Sequence, residues 1–273
     1  MILEARSRSL VAALEFQNVS VRRGELRVFD HVQLRLEHGS SAVVFGENGA
    51  GKSTLIQLAS GQLKPDTGSV WLSGRRSAVE LAGRLVADGT RVFTLLEQPG
   101  LAPGISALDN VALPLRYHAS ALSLHPEQAP SLAREALAAL GVYPPDIHSL
   151  PDRLSFGTQR RVALARILAL RPHLVLLDDP LLGVDSESCQ IIEGVLRSWV
   201  RDPTLSVFCT TGDRGLAERL GTPRLDLTPD GLVVDGMLLA DALRVAASSR
   251  GAARFDETQS QSSEAAGDAG MLH

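Results

Sequence analysis

The stretch Gly46-Glu47-Asn48-Gly49-Ala50-Gly51-Lys52-Ser53-Thr54 constrains this chain more than any other. It fits the phosphate-loop pattern G-x-x-x-x-G-K-[ST], which carries its own mechanism. Glycines let the main chain turn tightly and bring N–H groups against phosphate oxygens. Lys52 reaches the β- and γ-phosphates, and the Ser53 hydroxyl is a ligand for Mg²⁺. The flanks suit the loop. Ser41 to Phe45 is a short apolar run that reads as a buried strand. Lys52 to Ala59 reads as a helix, whose N-terminus favours an anion. Strand, loop and helix in that order predict an α/β fold that binds a nucleoside triphosphate.

At 273 residues the chain has room for one large domain or two small ones. Its 44% hydrophobic and 21% charged residues are ordinary for a soluble globular protein. A net charge of −4 exerts no global pull toward nucleic acid or an anionic membrane. Cys189 and Cys209 make no ligand spacing and read as small buried hydrophobes in a reducing compartment. No stretch reaches about 18 consecutive apolar residues, so the chain is not expected to span a bilayer. The start, Met1 to Arg6, is a poor signal peptide, which makes the cytoplasm the expected location.

Along the chain, Leu14-Glu15-Phe16, Val19-Ser20-Val21 and Val28 to Leu36 alternate, broken by Arg23-Gly24-Glu25, and read as antiparallel strands. Ser69 to Leu72 and Arg91 to Leu96 are further strand candidates. From Ser106 to about Leu140 the period becomes helical, with Pro114 and the His118 to Pro130 segment expected to interrupt it. Ser155 is placed as the N-cap of a helix from Gln159 to Leu170. Leu174 to Leu177 is wholly apolar and suits a central parallel strand covered on both faces. A helix from Glu187 to Trp199 and a buried strand from Leu205 to Thr211 follow. Short strands around Arg224 to Leu227 and Leu232 to Val234 close the domain. Residues 247–273 are rich in Ser, Gly, Ala, Gln and Glu and read as a disordered tail. The pairs Arg75-Arg76 and Arg160-Arg161 read as solvated faces rather than nucleic-acid patches. Trp71 and Trp199 read as packed core or rim.

Over roughly residues 13 to 240 the chain resembles the nucleotide-binding subunit of an ATP-binding cassette (ABC) transporter. Gly46 to Thr54 is similar to the Walker A loop. Gln98 resembles the Q-loop glutamine that touches Mg²⁺ and the transmembrane partner. Leu154 to Thr158 resembles the LSGGQ signature, Leu174 to Pro180 the Walker B strand, and Gly183-Val184-Asp185 the D-loop. The resemblance implies a P-loop NTPase core with a mainly parallel sheet, an N-terminal antiparallel β subdomain and a helical insertion at about 100–165. It implies ATP and Mg²⁺ as cofactors. It also implies a head-to-tail dimer with a second ABC subunit, in which Ser155 and Gly157 meet the γ-phosphate held by the other chain. Transmembrane transporter subunits are the further expected partners, placing the chain peripherally at the inner face of the cell membrane; no nucleic acid is expected.

Four positions depart from the family pattern. Phe156 replaces the first signature glycine. Asp179 stands where the family has the Glu that orients the attacking water, and reaches about 1.5 Å less; a misplacement of ~1 Å costs on the order of 10²-fold. Asp178 retains the means to hold Mg²⁺ through water. Gly212 stands in the slot of a His that contacts the γ-phosphate. Arg23 stands where many members stack an aromatic on adenine, and a guanidinium also stacks on a base. The expectation is a subunit that binds ATP and hydrolyses it slowly, for a lipid or small-solute transporter. The alternatives are a regulatory cassette paired with a more active subunit and, after that, a non-transport ABC ATPase.

Overall fold

The computed structural model describes residues 11–76, 89–228, 231–234 and 237–238. Residues 247–273, read above as a tail, lie outside them. A four-stranded antiparallel sheet contains β1 (Leu14–Arg23), β2 (Leu26–Leu36), β4 (Thr67–Leu72) and β5 (Arg75–Arg76), in the order β2-β1-β4-β5. β1 and β2 form a hairpin around Gly24-Glu25, with Leu14 opposite Leu36 and Phe16 opposite Leu34.

The second sheet has seven strands, in the order β11-β10-β9-β3-β8-β7-β6. Its members are β3 (Ser41–Phe45), β6 (Val92–Leu95), β7 (Leu174–Asp178), β8 (Ser206–Thr211), β9 (Arg224–Thr228), β10 (Gly231–Val234) and β11 (Met237–Leu238). β9, β3, β8, β7 and β6 run parallel, while β10 and β11 add antiparallel strands at one edge. A strand buried on both faces sends successive side chains into different cores. β7 does so: Val175 and Leu177 enter one apolar cluster, and Leu174 and Leu176 enter the other. β8 repeats the division with Val207 and Cys209 against Phe208.

The helices distribute between these two cores. α1 (Lys52–Ala59) buries Leu55, Ile56 and Leu58 with the antiparallel sheet. α2 (Ala107–Tyr117), α3 (Ala129–Ala139), α4 (Phe156–Ala169) and α5 (Ser186–Arg201) contribute to the opposite core, and α6 (Leu216–Leu220) joins them. Ser155 caps α4, its Oγ accepting from the Thr158 N–H at 3.1 Å.

Three expectations need correction. Pro114 lies inside α2 and does not end it. A proline interior to a helix costs about 3 kcal/mol. Val111, Ala112 and Leu115 on that helix are fully buried, and burying a Val or Leu is worth about 1.5–3 kcal/mol each, so packing outweighs the lost hydrogen bond. The Arg160-Arg161 pair is buried, at 0% and 9% exposure, rather than solvated. Carbonyls on other segments accept from both guanidiniums, which the charge of the pair does not disclose. Cys209 is fully buried, and burial raises its thiol pKa, but Cys189 is only half-buried on α5.

Candidate functional site

The carboxyl ends of β3 and β7 open onto one cleft of about 330 Å³, toward the lower end of the range of small-ligand pockets, about 300–1,000 Å³. Asn48, Gly49, Gly51, Lys52, Ser53 and Thr54 form one wall; Glu97, Asp178, Asp179 and Leu182 form the other. The loop takes its shape from glycine. Gly49 and Gly51 have φ of +82° and +100°, and a Cβ on Gly51 would stand 2.8 Å from Val28 and 2.9 Å from the Phe29 ring. An L side chain would therefore push the loop off β2.

Gly51 starts α1 without a side-chain cap, and the first turn carries no acidic residue. The N–H groups at that end remain donors for an anion. Lys52 is 8% exposed. Its Nζ donates to the carbonyls of Gly46 at 2.9 Å and Glu47 at 3.2 Å, and lies 3.7 Å from Asp179 Oδ2. Gly46 and Glu47 thus hold the ammonium through their carbonyls, and neither they nor Ala50 are among the residues lining the cleft.

The acidic wall is held from two strands. Asp178, at the end of β7, accepts from the Thr210 hydroxyl at 2.9 Å. Asp179 Oδ1 accepts from Thr211 Oγ1 and from the Gly212 N–H, both at 3.3 Å. Asp179 has a φ of +46°. That left-handed geometry turns its carboxylate toward Lys52 and its carbonyl toward Arg160.

Several residues read from the sequence lie elsewhere. Gln98 does not line the cleft; its neighbour Glu97 does. Arg23 is exposed and donates to Gln57 Oε1 on α1 at 2.6 Å, also outside the cleft lining. Ser155 is exposed at the head of α4, and Gly157 is buried there. Neither lines the cleft of its own chain. Gly157 is where α4 meets the start of α5: a Cβ would stand 2.3 Å from Asp185 Oδ2 and 2.5 Å from Ser188 Oγ. Phe156 folds back on its own chain, 5.5 Å from its ring centre to Arg160 Cζ and beside Gly183.

Two residues at this end of the sheet carry no mark in the sequence. Glu97 adjoins Gln98, the residue that matches the expected amide, yet it is Glu97 that lines the cleft. Arg160 belongs to an arginine pair, a pattern that suggests solvent, yet it is buried. Burial pulls the Arg160 guanidinium below its ordinary pKa, while Asp179, Asp178 and Glu97 act in the opposite direction.

The residues fit a triphosphate and a divalent cation. Uncapped N–H groups and an ammonium face one side, carboxylates the other. Among the described residues no group of three or more His, Cys, Asp or Glu is arranged to cage a metal. Mg²⁺ would therefore be held by one carboxylate, the Ser53 hydroxyl and phosphate oxygens, as is usual for that ion. Bound there it would supply charge neutralisation between the phosphates.

The sequence model of the ABC transporter family matches residues 29–182. The intermembrane phospholipid transport system ATP-binding protein MlaF of Escherichia coli K12 is 30% identical over 214 residues, 78% of this chain and 77% of MlaF. The probable sulfate/thiosulfate import ATP-binding protein CysA of Chlorella vulgaris is 32% identical over 196 residues, 71% of this chain and 77% of CysA. In structure, the chain is similar to the dimeric ATP-binding cassette MJ0796 in a post-hydrolysis state bound to ADP and Pi. The TM-score is 0.71 at 26% identity, covering 80% of this chain and 96% of that one. Among the described residues no helix is long and apolar enough to cross a membrane.

Proposed function

Because the chain belongs to the ABC transporter family, as an ATP-binding subunit of a membrane transporter, we propose that it binds Mg-ATP at the Lys52 loop, closes over it against a second ABC subunit and hydrolyses it slowly. The observation that carries this reading is the approach of Lys52 Nζ to Asp179 Oδ2 at 3.7 Å, across a cleft walled by the phosphate loop. Lys52 and the N–H groups of Gly49 to Thr54 bind the phosphates. Ser53 and Asp178 hold the cation, and Glu97 lines the same wall; Gln98 joins the cation only by turning into the cleft. Asp179 orients the attacking water. Ser155 and Gly157 serve the nucleotide of the partner chain, consistent with their place outside their own cleft. Arg23, outside the cleft lining, stacks on the base after leaving Gln57.

The slow rate follows from the short Asp179 side chain and from Gly212, which offers the cleft only a backbone N–H. These two positions also favour a second reading, a regulatory cassette whose partner subunit supplies most of the hydrolysis. The related transporters are named for phospholipid and for sulfate or thiosulfate, so cargo is a lipid or small solute chosen by transmembrane subunits. Docking to those subunits would hold the chain at the inner face of the membrane.

The test is sedimentation of the purified chain with Mg-ATP or Mg-ADP, alone and mixed with any cassette that copurifies with it. Dimers formed with Mg-ATP and lost with Ser155→Arg support the reading. A monomer under every condition contradicts it.

A further inference from the structure

Arg160 is the largest wholly buried side chain among the described residues, and no role assigned above uses it. Each hydrogen bond of its guanidinium ends on a main-chain carbonyl at the rim of the cleft. Nη1 donates to Leu96 at 2.7 Å and to Glu97 at 2.6 Å, and Nη2 donates to Asp179 at 2.7 Å. Leu96 and Glu97 follow β6, and Asp179 follows β7. Those strands are parallel neighbours, with Leu95 opposite Leu177. One planar fork therefore pins both segments where they leave the sheet, and it does so from α4, the helix that Ser155 caps.

Asp179 is a residue that needs such a tie. The left-handed conformation is strained for an L residue and needs local bonds to hold it. Its N–H donates to the Thr210 carbonyl at 3.0 Å, and its carbonyl accepts from Arg160. Without the second bond the peptide is free to relax, and the carboxylate swings away from Lys52. Packing alone would not call for a guanidinium here, since desolvating a charge is unfavourable. Three carbonyl acceptors on Nη1 and Nη2 offset part of that cost, although Nε is buried without a partner.

We infer that Arg160 is a positioning residue for the phosphate cleft. It holds the Glu97 and Asp179 main chains at a fixed separation, keeps the Asp179 carboxylate facing Lys52, and couples both to the start of α4. The consequence for turnover rests on the function proposed above; the consequence for the main chain does not.

The test uses the full chain with Arg160→Lys, which keeps the charge but replaces the fork with a single ammonium. Mg-ATP affinity is expected to stay within about twofold while kcat falls by about tenfold or more. Amide hydrogen exchange is expected to quicken at residues 97–98 and 179–183, with β8 unchanged. Exchange needs no hydrolysis, so a wild type that fails to bind Mg-ATP removes the proposed function and leaves this inference to be decided by exchange. Unchanged exchange at both segments overturns it, and so does an increase spread over the whole fold. A kcat loss that only tracks a loss of ATP binding overturns it too. Arg160→Gln, with two amide donors, is the second variant. If neither folds, Arg160 is a folding element and the inference fails.

Discussion

The Gly212 N–H donates to Asp179 Oδ1 at 3.3 Å, and a Cβ on Gly212 would stand 3.9 Å from both Asp179 Oδ2 and Lys52 Nζ. Those are ordinary contact distances, and φ at Gly212 is outside the left-handed region, so a side chain fits and would point at the reacting end of the cleft. The double substitution Gly212→His with Asp179→Glu is therefore expected to raise ATP turnover. Restoring about 1.5 Å of carboxylate reach corresponds to a gain of about tenfold to a hundredfold. Steady-state phosphate release measures it; no gain would mean that another group already compensates.

Glu97 adds a third carboxylate to the cleft in which the triphosphate is proposed to bind. Removing its charge with Glu97→Gln is expected to tighten ATP binding by about fivefold at low salt, since two unit charges ~4 Å apart interact by about 1 kcal/mol in water. The effect shrinks as salt rises. Weaker Mg-ATP binding in the variant would instead make Glu97 a ligand of the cation.

Gly157→Ala is expected to destabilise the fold. The new methyl would meet Asp185 Oδ2 at 2.3 Å and Ser188 Oγ at 2.5 Å, which disturbs the cap of α5. Overpacking of this kind costs about 1–3 kcal/mol. A lowered melting temperature without nucleotide checks this, separately from any role of Gly157 in ATP binding.

Asp185 provides a pH test. The backbone and hydroxyl of Ser188 both donate to its carboxylate and hold the pKa below the ordinary 3.8. Its contribution to stability is fully present above about the unfolded value and is lost as pH falls through the lower folded value. Asp185→Asn keeps an acceptor for the cap but does not titrate. Urea unfolding should show wild type gaining stability over Asp185→Asn as pH rises from below the lowered folded value to the ordinary 3.8, with a flat difference above it.

Much of the site was legible because its chemistry is written locally. The phosphate loop needs consecutive residues, and the wholly apolar Leu174 to Leu177 run has the form of a strand that fills two cores. What escaped depends on distant contacts. The acceptors of Arg160 lie as far as 64 residues away on Leu96, and nothing beside Arg160 in sequence marks them. Glu97 and Gln98 are neighbours, and only the course of the chain after β6 decides which faces the cleft. Pro114 suggests an interruption because its own penalty is local, whereas the burial that overrides it comes from packing with α3 and α4.

The most direct measurement is calorimetric titration of the full chain with Mg-ATP beside Lys52→Ala. One nucleotide per chain is expected, with an affinity lowered at least about tenfold in the variant, as for losing a charge-assisted bond worth about 1.5–3 kcal/mol. Absence of binding to the wild type, or equal affinity in Lys52→Ala, would contradict Mg-ATP binding at the Lys52 loop.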